Sequence, residues 1–216
     1  MINIIREICT WGSHQYDGWV IAKAVYRCRG GSDPVSYHTQ QLNSHPGYAV
    51  LATEGYGEGK QSVQCLKITL LHPSLTIKLR PDEDTASSRG TAFSRDTAIR
   101  SAGPPANRST CLPQTISFPP DALKRFLRDS NDTNPIHFTS PAIVPGLWIL
   151  ERLTGLWNIS AGNDATVPPD PDSSLEFCLR LMRPVYTGQS IVLACTENTI
   201  SGFCNDLPCF HMKINI

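Results

Sequence analysis

Short apolar runs closed by Gly, Pro and polar clusters fill the first third of this chain. Residues 19–28 form one run, ending at Arg29-Gly30-Gly31, and residues 48–53 another, closed by Gly55-Tyr56-Gly57-Glu58-Gly59. Residues 62–71 and 74–80 alternate apolar with polar positions and are split by His72-Pro73. A period of two with Gly/Pro punctuation predicts adjacent strands joined by turns. A strong helix is hard to find in residues 1–80, and residues 35–42 make only a poor candidate. Residues 82–113 are rich in Ser, Thr, Arg, Ala and Pro and contain Gly103-Pro104-Pro105, the composition of a linker or long surface loop. The chain is therefore expected to divide into a strand-rich half, 1–81, a linker, 82–113, and a second half, 114–216.

The pattern changes period after Gln114. A short strand is expected over residues 115–118, and Pro119-Pro120-Asp121 opens a helix, since proline is tolerated in a first turn. Leu123, Phe126 and Leu127 make its apolar stripe, with Lys124, Arg125 and Arg128 facing away. A second helix starts near Gly146 and carries Leu147, Trp148, Ile149, Leu150, Leu153, Leu156 and Trp157. Apolar almost all round, it is expected to be buried. Residues 175–184, 190–198 and 209–216 read as antiparallel strands, with turns at Thr187-Gly188 and around Gly202.

Charge and cysteine content narrow the function classes. The 216 residues carry 19 Lys and Arg against 19 Asp and Glu, with no dense basic run, so nucleic acid is not an expected partner. No apolar stretch approaches the ~20 residues of a membrane span, and the N-terminus lacks the pattern of a signal peptide. The eight cysteines are scattered without a Cys-x-x-Cys pair, and five of them (Cys9, Cys28, Cys65, Cys178, Cys195) sit in apolar, strand-like runs. Free thiols packed as small hydrophobes in a cytoplasmic protein are expected, with no metal site.

Candidate chemistry concentrates between Phe126 and His137. There Asp132 and His137 stand five residues apart around Asn134-Pro135, which fixes a turn. On a helix that spacing separates two side chains, whereas a turn brings them to one point. A carboxylate and an imidazole held together by rigid backbone can move a proton at a substrate carbon or a water. Because both sit on a polar turn, replacing either is expected to cost little stability.

The segment Ser130-Asn131-Asp132-Thr133-Asn134-Pro135-Ile136-His137 resembles the Ser-Gly-Asp-x-Asn-Pro-aliphatic-His motif of the MaoC-like (R)-specific enoyl-CoA hydratases and 3-hydroxyacyl thioester dehydratases, with Asn131 where glycine is usual. Ile143-Val144-Pro145-Gly146-Leu147 is similar to the family's lead into its central helix, with Pro145 replacing histidine. Residues 179–189 resemble its Arg-Phe-x-x-Pro-Val strand and turn. The segment from His137 to Gly146 is shorter than the family's. The resemblance covers the C-terminal half.

It implies an α+β hotdog fold, an antiparallel sheet around a central helix, or a double hotdog whose N-terminal half has lost the motif. It implies a hydro-lyase interconverting (3R)-3-hydroxyacyl and 2-enoyl thioesters in fatty-acid or polyketide-type metabolism, acting as a homodimer. No cofactor is implied; the substrate is carried on coenzyme A or an acyl carrier protein. Asp132 and His137 would be catalytic, and Gly146 would supply the backbone N–H that meets the thioester oxygen. Asn134 and Arg128 are the candidate substrate-binding residues, Asn134 chiefly by orienting the loop. Arg125, Arg180 and Arg183 are further cations that could meet carrier phosphates or simply face solvent. A non-catalytic acyl-binding or docking module, and more distantly a thioesterase, are the alternatives.

Overall fold

The computed structural model describes residues 1–29, 33–73, 115–160 and 174–216. Nine strands of these residues form one antiparallel sheet: β1 (Val20–Arg29), β2 (Ser36–His45), β3 (Tyr48–Tyr56), β4 (Ser62–Leu71), β5 (Thr115–Ser117), β6 (Ser174–Leu181), β7 (Ser190–Cys195), β8 (Thr199–Cys204) and β9 (Leu207–Asn215). Their order is β2-β3-β4-β1-β6-β9-β8-β7-β5. Three α-helices accompany them: α1 (Ile2–Gly12), α2 (Pro120–Ser130) and α3 (Gly146–Ser160). The proposed linker and the expected strand over residues 74–80 lie outside the described residues.

The strand order contains a repeat. In the second half a helix, α3, is followed by β6, β9's neighbour at the seam, and then by β7, β8 and β9, which line up as β6-β9-β8-β7. In the first half α1 is followed by β1, β2, β3 and β4, which line up as β1-β4-β3-β2. The two units meet where β1 pairs β6, from Lys23 opposite Arg180 to Arg29 opposite Ser174. Only the second unit has a further strand, β5, outside its second strand among the described residues. This is the topology of a double hotdog.

The helix of the first unit corrects the expectation that residues 1–80 hold only strands and turns. Ile4, Ile5 and Ile8 of α1 are buried, and α1 packs on β2, β3, β4 and α2. Of residues 35–42, all but Val35 belong to the edge strand β2, exposed along most of its length. A second correction concerns Gly202. It lies inside β8 opposite Phe210, and a Cβ there would overlap the Phe210 ring. The reversal comes three residues later at Asn205-Asp206, where both φ angles are positive (49° and 63°), as a tight hairpin demands.

The second-half helices follow their sequence pattern. Leu123, Phe126 and Leu127 of α2 are buried while Lys124, Arg125 and Arg128 are exposed. Leu147, Ile149, Leu150 and Leu153 of α3 are buried, and Trp148 packs edge-on against Phe118 at 4.8 Å and stacks on Phe126 at 5.6 Å. A single apolar cluster runs through both units, from Ile4 to Ile214.

Candidate functional site

The site begins where α2 stops. Asn131 takes the left-handed conformation (φ 55°, ψ 34°), and the Asp132 N–H then donates to the Leu127 carbonyl at 3.0 Å, closing the helix. Glycine fits that conformation best and asparagine tolerates it, so Asn131 does the work of the glycine it replaces. The Asn134 N–H donates to Asp132 Oδ1 at 3.1 Å, fixing the carboxylate. Pro135 then starts a one-turn 3-10 helix, Pro135–Phe138, capped by Asn134 Oδ1, and this turn carries His137 back toward Asp132. His137 Nε2 ends 3.5 Å from Asp132 Oδ2.

His137 is buried, 7% exposed, and Asp132 partly buried, 14% exposed. Neither is the solvent-exposed turn residue that a small stability cost on replacement would need. His137 Nδ1 lies 2.7 Å from the Ile143 carbonyl. A carbonyl only accepts, so Nδ1 carries the proton, and in the neutral ring Nε2 is the acceptor nitrogen facing Asp132. The short segment after His137 makes this possible: Ile143 bridges to Tyr186, and Val144 N–H donates to the Val185 carbonyl at 2.8 Å. The Ile143 carbonyl is thereby held against the imidazole.

Asn134 joins the motif to the other unit. Its Oδ1 accepts from the Gly18 N–H at 2.9 Å and its Nδ2 donates to the Trp19 carbonyl at 2.8 Å, just ahead of β1. Its amide is thus engaged by backbone, the geometry of a residue that orients the loop. Asn131 Nδ2 donates to Thr10 Oγ1 of α1 at 3.1 Å, and Arg6 Nε donates to the Asp129 carbonyl at 2.7 Å.

Asp132, Asn134, His137 and Gly146 all line one cavity of 660 Å³. Its apolar wall comes largely from the first unit, through Ile8 of α1, Leu51 of β3, and Ile68 and Leu70 of β4, with Leu147 of α3 opposite. Gly146 is buried at the start of α3. The Pro145 carbonyl accepts from Trp148 and Ile149, which leaves the Gly146 and Leu147 N–H groups without partners among the described residues. A Cβ at Gly146 would run into the Leu181 side chain and stand 3.4 Å from Ile21 Cβ.

Arg128 is not brought to this cavity. It lies on the exposed face of α2 with its Nε 3.1 Å from Asp129 Oδ1. Cys9, Asp17 and Arg183 do line the cavity. Cys9 looked like a strand residue in sequence; it sits on α1, and the accessible part of its surface faces the cavity. Burial first, and then the Asp132 carboxylate, push its thiol well above the ordinary range. Among the described residues no three His, Cys, Asp or Glu side chains converge as a metal site would require.

Sheet order, repeat and buried helix together define a hotdog protein. Solved structures agree across nearly the whole chain. HtdX from Mycobacterium tuberculosis superposes with a TM-score of 0.59 at 15% identity, over 99% of this chain and 83% of that one. A MaoC-like dehydratase gives 0.58 at 12% identity, over 98% and 82%. An acyl-ACP thioesterase from Bacteroides thetaiotaomicron gives 0.51 at 10% identity, over 95% and 79%. No protein-family model matches the sequence, and no curated protein matches it significantly.

Proposed function

We propose that this protein is a hydro-lyase of the MaoC type, interconverting 2-enoyl and (3R)-3-hydroxyacyl thioesters in acyl-chain metabolism. One observation carries the reading: Asp132 and His137 converge within 3.5 Å on the wall of a cavity otherwise largely apolar. A carboxylate and an imidazole Nε2 with its lone pair can both bond one water. In hydration that water's oxygen forms the new bond to C3, and a proton is delivered to C2 on the same face. Dehydration reverses both steps, removing the C2 proton and protonating the departing hydroxyl.

Charge gathers on the thioester oxygen as the C2 proton leaves. The N–H groups of Gly146 and Leu147, at the positive end of α3, are the donors that can meet it. Glycine at position 146 leaves room for Leu181 and Ile21 to pack against the start of that helix. The apolar wall built by α1, β3 and β4 would take the acyl chain, and the carrier, coenzyme A or an acyl carrier protein, would stay outside. The reaction calls for no metal and no redox cofactor. No helix among the described residues is long and apolar enough to cross a membrane.

Incubation with 2-enoyl thioesters of increasing chain length, linked to coenzyme A and to carrier protein, tests this directly. Loss of the enoyl-thioester absorbance with formation of the (3R)-3-hydroxy product is expected. Folded protein that turns over none of them contradicts the proposal. The likeness to an acyl-ACP thioesterase keeps thioester hydrolysis as a second reading, which release of free thiol in the same assay would reveal.

A further inference from the structure

Two thiols meet at the turn of the β8–β9 hairpin, and neither lines the cavity. Cys204 ends β8 and pairs directly with Leu207 across the turn Asn205-Asp206. Phe203 pairs with Pro208 and Gly202 with Phe210, so Cys209 is the extra residue of a bulge. Cys209 is buried in the shared core, and Cys204, partly exposed, packs against the same core. The Cys209 thiol donates to the Leu207 carbonyl at 3.6 Å, and it meets both the backbone and the thiol of Cys204. Cys28 and Cys65 also lie on paired strands. There, however, Cys28 stands opposite Gln64 and Cys65 opposite Arg27, so their side chains leave the sheet on opposite faces.

The hairpin holds the pair in place. Positive φ angles at Asn205 and Asp206 fix the turn, and the Phe210 ring fills the space over Gly202. The Cys209 carbonyl accepts from the Met182 and Arg183 N–H groups at 2.8 and 3.2 Å. Both of those residues line the cavity. A constraint placed on Cys209 therefore reaches the cavity wall through one backbone atom.

The two thiols are unequal. Burial is the first cause that raises the Cys209 thiol, with the Cys204 thiol adding to it, while Arg183 nearby favours the thiolate. Cys204 is the one that a reagent in solvent can reach. We propose that Cys204 and Cys209 form a dithiol redox site whose oxidant is a small disulfide, and that closing their bond stiffens the cavity wall at Met182 and Arg183. The Cys204 thiolate attacks one sulfur of the reagent, whose S–S bond breaks and whose other half leaves as a thiolate. Cys209 then gives its proton to solvent, attacks Cys204 Sγ and expels the second half. Two protein thiols are oxidised to one disulfide while the reagent is reduced to two thiols, so electrons and protons balance.

Glutathione disulfide applied to the folded, full-length protein tests this, with thiols then blocked and the bonds located by tandem mass spectrometry. Wild-type protein should lose the thiols of Cys204 and Cys209 to a bond between them, reversed by dithiothreitol. Cys209→Ser should instead accumulate a glutathione adduct at Cys204, because nothing remains to expel it. Cys204→Ser should modify Cys209 at least about tenfold more slowly, since the buried thiol must then meet the reagent itself. Folded wild-type protein that forms no Cys204–Cys209 bond overturns the assignment without recourse to either variant. A rapid adduct at Cys209 in Cys204→Ser overturns the order of attack. Amide hydrogen exchange reads the link to the cavity. Exchange at Met182 and Arg183 should slow in the oxidised wild-type protein and recover on reduction. Unchanged exchange there overturns that link.

Discussion

Asn131 decides where α2 ends and hence where Asp132 points. Its left-handed backbone (φ 55°) lets the Asp132 N–H turn back to Leu127, and its side chain reaches Thr10 of α1. Alanine would have to hold that backbone against its own Cβ, at a cost of about 1–2 kcal/mol, whereas glycine holds it freely. Both substitutions lose the Thr10 bond, so the difference between them isolates the backbone term. Chemical denaturation should rank Asn131→Gly above Asn131→Ala in stability, with Asn131→Ala also slower in turnover. A sequence shows the identity of residue 131 but not its φ angle, so it marks Asn131 as a departure from the glycine pattern without showing that it fills the glycine's place. Likewise, Asp132 and His137 were legible as a pair, but their burial was not. A turn of polar residues gives no sign that the Ile143 carbonyl and the first unit's wall will close over it.

Elements carry the next level of the account. The β1–β6 pair joins the two units, and Glu176 of β6 is bonded there to Arg27 of β1 and to Asn215 of β9. The hydrogen bond from Arg27 is the main cause that holds the Glu176 carboxyl below its usual range. A carboxyl lowered in the folded state adds stability above its unfolded-state value and loses it as pH falls through the folded-state value. Glu176→Gln should therefore destabilise by less than about 1 kcal/mol at neutral pH, because Arg27 is largely exposed and solvent screens the pair. The gap to wild type should close on acidification through and below the ordinary carboxylate range, measured by denaturant melts across pH. A gap that widened in acid would contradict the assignment. The strands at this seam were legible as short apolar runs between turn signals, whereas α1 was not. Its isoleucines favour strands by propensity, and Met1 makes no side-chain cap, so only burial of Ile4, Ile5 and Ile8 on one face selects the helix. The edge strand β2 was obscure for the opposite reason: with most of its residues exposed, it has no apolar face to alternate.

At the scale of the whole molecule the two units share one sheet and one core, and the cavity is lined by both. The first unit lacks the Asp132–His137 motif yet supplies α1, Leu51, Ile68 and Leu70 to the cavity wall, and its lead into β1 receives Asn134. Shared burial of this kind couples the units, so heat should unfold them in one cooperative transition. Ile5→Ala, which empties a fully buried site under α1, should cost roughly 2–5 kcal/mol. It should lower that single transition instead of splitting off an early one, as scanning calorimetry would show. Two separate transitions would mean that the units fold independently.

The central claim is that Asp132 and His137 perform one proton-transfer task on a thioester, and a double-mutant cycle tests it most directly. Turnover of a 2-enoyl thioester would be followed for Asp132→Asn, for His137→Asn and for the double mutant. Asparagine at 137 keeps a donor near the position of Nδ1 for the Ile143 carbonyl while removing Nε2, so the loop retains its support. Each single mutant, shown to be folded, should lose at least about a hundredfold in kcat, with the double mutant little worse than either. Losses that multiply, or single mutants that keep wild-type turnover, would contradict a shared role for the two residues.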